Sequence, residues 1–187
     1  MRLFSALVPP PAVLDAVGEA VELARSTGAD LRWTGPDQWH LTLGFYANVE
    51  TEQLAGLSDR LGRVARRHEP LELLLAGGGR FDGRVLWLGV RGDREPLRRL
   101  ASATVAAAAR EGIALEDRTY RPHLTVARSR RPTDLRRAKD ALTTWASPPW
   151  PAGELTLFRS HLGAKPWYEV LHTWRLGKPV PERSRLP

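Results

Sequence analysis

Two short motifs in this sequence place a histidine and a threonine two residues apart. They are His40-Leu41-Thr42-Leu43 and His123-Leu124-Thr125-Val126. In a β-strand, alternate side chains point to the same face about 6 to 7 Å apart, so each HxT motif presents an imidazole beside a hydroxyl. Because histidine titrates near neutral pH, two imidazoles can remove one proton and donate another at a phosphodiester. The threonine hydroxyls can bind the non-bridging phosphate oxygens.

The repetition of the motif is what gives it weight, since a single HxT in a strand is common by chance. The two copies lie almost half a chain apart and indicate that each half of the molecule supplies one strand. If the halves pack about a pseudo-two-fold axis, all four polar side chains meet in one groove. We therefore expect His40 and His123 to act as acid and base, with Thr42 and Thr125 binding phosphate.

The sequence around the motifs predicts chemistry without a metal or a cofactor. Neither motif has a second histidine or a carboxylate at metal-ligand spacing, and the chain has no cysteine that could bind a metal as a thiolate. The run Gly77-Gly78-Gly79 lacks the Lys-Ser/Thr of a P-loop and the spacing of a dinucleotide fingerprint, so we interpret it as a turn.

Other histidines and two aromatic residues are weaker candidates. His68 follows two arginines at a predicted helix end, and His161 and His172 lie in strands without the HxT pattern, so we expect structural roles for all three. Phe81, in a glycine-rich loop, and Tyr168 could stack on a base or contact phosphate. Phe81 could equally anchor its own loop.

The charge of the chain favours an anionic partner. The net charge is +7, and the segment 128–139 carries six Lys or Arg residues against one Asp. Lys and Arg residues bind nucleic acid by displacing its counterions, although an arginine-rich proteome gives the same composition. The clustering favours the first interpretation, and RNA or nucleotides are the expected partners.

Strands must hold the motifs, and helices must cover their apolar faces. Periodicity and turn residues predict strands at 2–8, 31–34, 39–46, 71–75, 85–90, 119–128, 155–162 and 168–176, with helices at 12–27, 51–68, 95–111 and 133–145. A loop is predicted at 77–83 and a break at 148–151. In the first motif strand we expect Trp39, Leu41, Leu43 and Phe45 to be buried, and in the second Pro122, Leu124 and Val126.

The length of 187 residues suits one α+β domain, at 1–187, built from two pseudo-symmetric lobes. The polar tail at 178–187 is expected to be loosely held. No window approaches 18 consecutive apolar residues, and the opening apolar stretch is too short for a signal peptide. We therefore expect a cytoplasmic protein, acting as a monomer and without a membrane segment.

With both motifs identified, the chain closely resembles the 2H phosphoesterase superfamily, and within it the LigT-like RNA 2′,3′-cyclic phosphodiesterases of the 2′-5′ RNA ligase family. The resemblance rests on RLFSAL at 2–7, WHLTLGF at 39–45, RVLWLGV at 84–90, YRPHLTVAR at 120–128, and LFRSHL and WYEVL near the end. It implies a bilobal fold with antiparallel sheets lining a central cleft and helices outside. It also implies that 2′,3′-cyclic phosphate ends of RNA or nucleotides are opened to 2′-phosphates.

The resemblance carries over onto His40, Thr42, His123 and Thr125, and implies His40 as acid and His123 as base. Pseudo-symmetry leaves the reverse order open. An arginine after the second motif is matched by Arg128, which could pair with phosphate. Simple alternation puts Arg128 on the face opposite His123, so only a bulge or an early strand end would bring it to the site. A non-catalytic RNA-binding module and 2′-5′ RNA ligation are the alternative functions.

Overall fold

The computed structural model describes residues 1–115, 119–163 and 166–178, so the predicted tail lies outside the described residues except for Lys178. The strands are β1 (Leu3–Leu7), β2 (Arg32–Trp33), β3 (Leu41–Tyr46), β4 (Leu71–Phe81), β5 (Val85–Gly92), β6 (His123–Arg128), β7 (Trp150–Ala152), β8 (Glu154–His161) and β9 (Trp167–Arg175). The helices are α1 (Pro11–Arg25), α2 (Thr51–Arg66), α3 (Arg94–Ala109) and α4 (Arg136–Ala141).

All described strands join one antiparallel sheet in the order β7-β4-β5-β6-β3-β1-β8-β9, with β2 added beside β6. The two motif strands, β3 and β6, lie at its centre and pair through Leu41 and Leu124. Four strands of this order therefore lie on each side of the junction. The predicted α+β fold with antiparallel strands is confirmed, and the two predicted sheets are continuous across the centre.

The two halves of the sheet are interleaved in sequence. The half that contains β3 takes β8 and β9 from the end of the chain, whereas β4, β5 and β7 complete the other half around β6. Helices α2 and α3 pack on the first half, against β9 and β3. Helix α4 packs next to β4 on the second half, and α1 packs against α4. The helices bury one face of the sheet, and the opposite face carries the motif histidines.

The helices form where local sequence supports them. Pro11 begins α1, as its fixed φ suits the first turn, and α2 begins with a reciprocal capping box between Glu50 and Gln53. Leu57 and Leu61, one turn apart on α2, are both fully buried. The apolar residues whose spacing predicted these helices therefore form the face that is buried.

The prediction of a loop at 77–83 is wrong, because the three glycines at 77–79 belong to strand β4. The indole of Trp87, on β5, lies over Gly79, where a Cβ atom would come within 2.1 Å of the ring. Glycine is therefore required by close packing at Gly79. The chain turns later, at Asp82 and Gly83, which have φ angles of 47° and 60°.

The break predicted at 148–151 also contains a strand that sequence reasoning missed. β7 pairs with β4 through three residues, opposite Leu71 to Leu73. Pro151 has no N–H for a sheet, but β7 is an edge strand, where proline is tolerated. Nearby, α4 is shorter than the helix predicted at 133–145.

Among the described residues, no helix combines the length and apolar character needed to cross a membrane.

Candidate active site

A β-bulge follows the second HxT motif. Thr125 pairs with Trp87, and Ala127 pairs with Leu86, so Val126 is an extra residue on β6. Val126 and Ala127 are both buried in the core, and the alternation of β6 is reset by one residue. Arg128 therefore returns to the face of Thr125. The bulge that its placement required is present, and Arg128 lies in the site.

The first motif is followed by the same irregularity. Thr42 pairs with Ala6 and Gly44 with Ser5, which leaves Leu43 as the extra residue of β3. Phe45 therefore turns away from the core, and its predicted burial beside Leu43 is wrong. Its side chain belongs to a small apolar cluster with Phe4, Ala6, Phe158 and Tyr168.

The four motif side chains meet in one cavity at the junction of β3 and β6. The cavity has a volume of about 70 Å³ and is lined by Thr34, Gln38, His40, Thr42, His123, Thr125, Arg128 and Tyr168. Every predicted catalytic or phosphate-binding residue is therefore in the lining, and so is Tyr168. Phe81 is not in the lining, although its ring contacts that of His123.

Each histidine is oriented by the backbone two residues before it. His123 Nδ1 lies 2.7 Å from the Arg121 carbonyl oxygen, which accepts a hydrogen bond from it. His40 forms a hydrogen bond with the backbone of Gln38. A carbonyl acceptor at Nδ1 fixes the tautomer and leaves Nε2 of His123 available for proton transfer. Each motif histidine thus has a backbone partner two residues before it.

Aromatic side chains hold both imidazole rings. His40 stacks on Phe4, with ring centroids 4.7 Å apart, and Tyr168 meets it edge-on at 5.4 Å. Phe81 meets His123 edge-on at 4.9 Å and itself packs against Trp87. These contacts restrict ring rotation. Phe81 therefore contacts His123, one of the two predicted catalytic residues. Stacking of Phe81 on a nucleobase stays a prediction.

The surroundings of the histidines favour their neutral forms. Burial lowers the pKa of His40 to about 4, and the positive charge of Arg128 contributes to this shift. Burial also lowers the pKa of His123, again with a contribution from Arg128. The backbone hydrogen bonds oppose these shifts by favouring the charged rings. Both histidines are therefore neutral around pH 7 before a ligand adds negative charge.

Thr34 and Gln38 line the cavity but were missed at the level of sequence. Thr34 Oγ1 donates to the Thr125 carbonyl and accepts a hydrogen bond from Trp39 Nε1, which ties the segment before β3 to strand β6. Gln38 Nε2 donates to the Pro166 carbonyl, just before β9. Neither residue belongs to a periodic pattern. The only available signal was the closeness of Gln38 to His40 in sequence.

The remaining histidines lie outside this cavity. His68 Nδ1 bonds to the Val64 carbonyl at the end of α2, and His161 bonds to Glu169 while stacking on Trp167. His172 packs beside Trp174 on β9.

A metal site would need several converging donors. Over residues 1–115, 119–163 and 166–178, no three His, Asp or Glu side chains come together where they could bind a metal ion.

Three comparisons relate this chain to known proteins. The family model of the 2′-5′ RNA ligase superfamily matches residues 9–164. An RNA 2′,3′-cyclic phosphodiesterase of Escherichia coli (strain K12) is 32% identical over 148 residues, or 75% of this chain and 77% of that protein. One of Geobacillus stearothermophilus is 29% identical over 154 residues, which are 77% of this chain but only 47% of that relative.

Solved structures share the fold over nearly the whole chain. The protein TT0787 of Thermus thermophilus aligns with a TM-score of 0.80 at 27% identity, covering 96% of this chain and 100% of that one. Escherichia coli LigT in complex with 3′-AMP aligns with a TM-score of 0.71 at 27% identity, covering 94% and 96%.

Proposed function

We propose, because this chain belongs to the 2′-5′ RNA ligase superfamily, that it is an RNA 2′,3′-cyclic phosphodiesterase. The proposed reaction hydrolyses the cyclic phosphate at the end of an RNA strand, or of a nucleotide, to a 2′-phosphate. The observation that carries this proposal is the convergence of His40, Thr42, His123 and Thr125 with Arg128 on one small cavity.

The size and polarity of the cavity suit a phosphate group. Its volume is about 70 Å³, and hydroxyl, imidazole and guanidinium groups line it. Thr42 and Thr125, from adjacent strands, can each donate a hydrogen bond to a non-bridging oxygen of the bound phosphate. Arg128 offsets its negative charge. The nucleoside would extend outward from the cavity.

The two histidines can complete an in-line hydrolysis. A water molecule attacks phosphorus, one neutral imidazole takes the water proton, and the bond from phosphorus to O3′ breaks. The other imidazole, as imidazolium, gives its proton to the departing O3′. The products are a 2′-phosphate and a 3′-hydroxyl, and the two histidines have exchanged protonation states, which solvent restores. We assign His40 as the acid and His123 as the base, the order that the resemblance implies.

The substrate itself helps to create the acid. In the free site, burial and Arg128 keep both imidazoles neutral. A phosphodiester anion placed between them raises the pKa of each, since an adjacent negative charge stabilises the protonated ring. Protonation of one histidine is thus coupled to substrate binding. The free site does not need to hold a buried imidazolium.

RNA ends are the proposed physiological substrate, because two exposed arginines follow Arg128 within three residues. Arg130 and Arg131 are exposed, and they can contact phosphates that a mononucleotide lacks. We further propose that the protein acts as a monomer, since one chain carries both motifs of the site. The proposed location is the cytoplasm.

One incubation tests the proposal and its alternatives. Purified protein is mixed with each 2′,3′-cyclic mononucleotide and with a cyclic-phosphate-ended oligonucleotide plus a 5′-hydroxyl acceptor. Products are compared by chromatography with authentic 2′- and 3′-monophosphates. We expect 2′-phosphates. Predominant 3′-phosphates would overturn the regiochemistry, a joined oligonucleotide would indicate ligation, and binding without any turnover would indicate a recognition module.

A further inference from the structure

A second cavity lies between helix α2 and the edge strand β9. Its volume is about 260 Å³. Helix α2 supplies Ser58, Asp59, Gly62, Arg63 and Arg66, and β9 supplies His172 and Trp174. None of these residues lines the cavity that contains the motif histidines. The cavity is therefore separate from the proposed active site.

One end of this cavity is cationic. Arg63 and Arg66 lie in the last turn of α2 with exposed side chains, and neither forms an ion pair with another residue in the described part of the chain. His172, on β9, lines the same cavity. A guanidinium fork matches the geometry of phosphate oxygens, so two free arginines beside an imidazole favour a phosphate ligand.

The interior of the cavity is shaped by a hydroxyl, a glycine and an indole. Ser58 is only 9% exposed, and its buried Oγ has no hydrogen-bond partner among the described residues. A Cβ atom on Gly62 would lie 2.9 Å from Trp174 Nε1, so glycine lets the indole lie against the helix backbone. The rings of Trp174 and His172 are nearly parallel, with centroids 5.5 Å apart.

The polar groups are graded along the helix. Asp59 precedes Arg63 by four residues and Arg66 by seven, so its Cα atom lies about 6 to 10 Å from theirs along the helix axis. A bare phosphate would use only the cationic end and would be repelled by Asp59. A ligand that also carries hydroxyl or amine donors would satisfy Asp59 and Ser58 as well.

We propose that this cavity is a binding site for a nucleoside monophosphate. Arg63, Arg66 and His172 bind the phosphate, Asp59 and Ser58 accept hydrogen bonds from ribose or base, and Trp174 offers an apolar surface to the ligand. The ligand is either a free nucleotide or the phosphorylated terminal nucleotide of an RNA strand. The inference stands on this cavity alone and does not require the proposed phosphodiesterase activity.

Nuclear magnetic resonance of the full chain can test both sites at once. The backbone amide of Gly62 and the indole N–H of Trp174 report on the second cavity, and the amides of Thr42 and Thr125 report on the first. AMP, inorganic phosphate and a 5′-phosphorylated RNA oligonucleotide are titrated separately. The variant Arg63→Gln/Arg66→Gln is compared with Arg94→Gln/Arg99→Gln, which removes two exposed arginines of α3 outside both cavities.

We expect AMP to shift the Gly62 and Trp174 signals in a saturable manner. Inorganic phosphate should bind the same cavity more weakly. Arg63→Gln/Arg66→Gln should weaken that binding at least about tenfold, since the loss of even one charged hydrogen bond to the phosphate has an effect of this size. In the same variant, AMP affinity measured at the Thr42 and Thr125 signals and the rate of hydrolysis of a cyclic mononucleotide should stay within about twofold of wild type. Tighter binding of the oligonucleotide than of AMP at Gly62 and Trp174 would identify an RNA end as the ligand.

Two results would overturn the inference. One is an absence of saturable shifts at Gly62 and Trp174 at AMP concentrations that saturate Thr42 and Thr125. The other is an equal loss of binding in the Arg94→Gln/Arg99→Gln control, which would show a general charge effect. Either result would make Arg63 and Arg66 solvated residues that interact favourably with the C-terminal end of the helix.

Discussion

Leu43 and Val126 are the extra residues of two β-bulges, and each directly follows the threonine of its HxT motif. Each bulge resets the alternation of its strand, so the residue two positions later turns to the face of the motif threonine. That residue is Phe45 in one half and Arg128 in the other. The backbone of the site is therefore pseudo-symmetric, whereas its charge is not.

The first prediction concerns this single cation. Arg128→Gln should lower kcat/KM for a 2′,3′-cyclic nucleotide about 10- to 100-fold, because one charged contact to phosphate is lost. It should also move the acidic limb of the kcat/KM profile to higher pH. Arg128 lowers the pKa of both histidines, so its removal raises them and protonates the base at a higher pH.

The control for this change is Arg130→Gln, which removes a nearby exposed cation that does not line the cavity. It should leave both kcat/KM and the acidic limb close to wild type for the mononucleotide. An acidic limb of Arg128→Gln that coincides with that of wild type would contradict the electrostatic role of Arg128.

The bulges also show where prediction from sequence succeeds and where it fails. The HxT repeat located both histidines and both threonines, because period-two alternation holds within four residues. It failed two residues later, at Phe45, because a bulge depends on pairing with β1, which the motif does not encode. Arg128 could be predicted only conditionally, for the same reason.

Long-range packing explains the other failures. Gly79 is a strand residue because the indole of Trp87 lies over it, and no local signal distinguishes this from a turn. Thr34 and Gln38 reach the cavity through hydrogen bonds to Thr125 and Pro166, which are far away in sequence. The first three helices, in contrast, were predicted well, because their caps and apolar faces are local.

The second prediction is a pH-dependent stability that originates in His40. Burial lowers its pKa from 6.5 to about 4, so the unfolded chain binds more protons between these values. The stability held by neutral His40 is complete above pH 6.5 and is lost as the pH falls through about 4, by up to about 3 kcal/mol. His40→Asn should therefore show a smaller change in its urea midpoint than wild type over this range. His68→Asn is the control, and an identical pH dependence in wild type and His40→Asn would contradict the burial effect.

The third prediction is that hydrolysis continues in excess EDTA. Histidines and hydroxyls supply all the proposed chemistry, and the described residues lack three converging metal ligands. The initial rate on a cyclic mononucleotide should change less than about twofold, a mononucleotide being used because it has no folded structure that depends on Mg²⁺. A rate that falls in EDTA and is restored by Mg²⁺ or Mn²⁺ would overturn the metal-independent mechanism.

The fourth prediction separates RNA binding from ring opening. Within the basic segment 128–139, Arg136 is already paired with Asp134, and Lys139 with Asp140, whereas Arg130, Arg131 and Arg137 are exposed. Changing these last three to Gln should weaken binding of an RNA oligonucleotide and reduce the salt slope of log K by about 2, at about 0.7 per phosphate contact. Hydrolysis of a cyclic mononucleotide should be unaffected.

The matched control for the RNA measurement is a variant with glutamine at Arg94 and Arg99 on α3. These arginines lie on the helix-covered side of the sheet, away from the face that carries the motifs. Its salt slope should equal that of wild type. An unchanged slope in the variant of Arg130, Arg131 and Arg137 would assign this segment to a solvated surface.

Loss of a motif threonine should lower kcat less than loss of a motif histidine. Thr42→Ala and Thr125→Ala each remove one hydrogen bond to phosphate and should lower kcat about 10- to 10³-fold. Loss of either histidine removes a proton-transfer group and should lower kcat further. His161→Ala, outside the cavity, should be near wild type.

The decisive measurement is kcat for opening a 2′,3′-cyclic phosphate by His40→Ala, His123→Ala and the double variant, each shown to be folded by circular dichroism. Two histidines acting as one acid–base pair predict a loss of about 10²- to 10⁴-fold in each single variant. The double variant should be little worse than the slower single one, because the pair acts as a unit. Turnover close to wild type in either folded single variant would contradict the two-histidine mechanism.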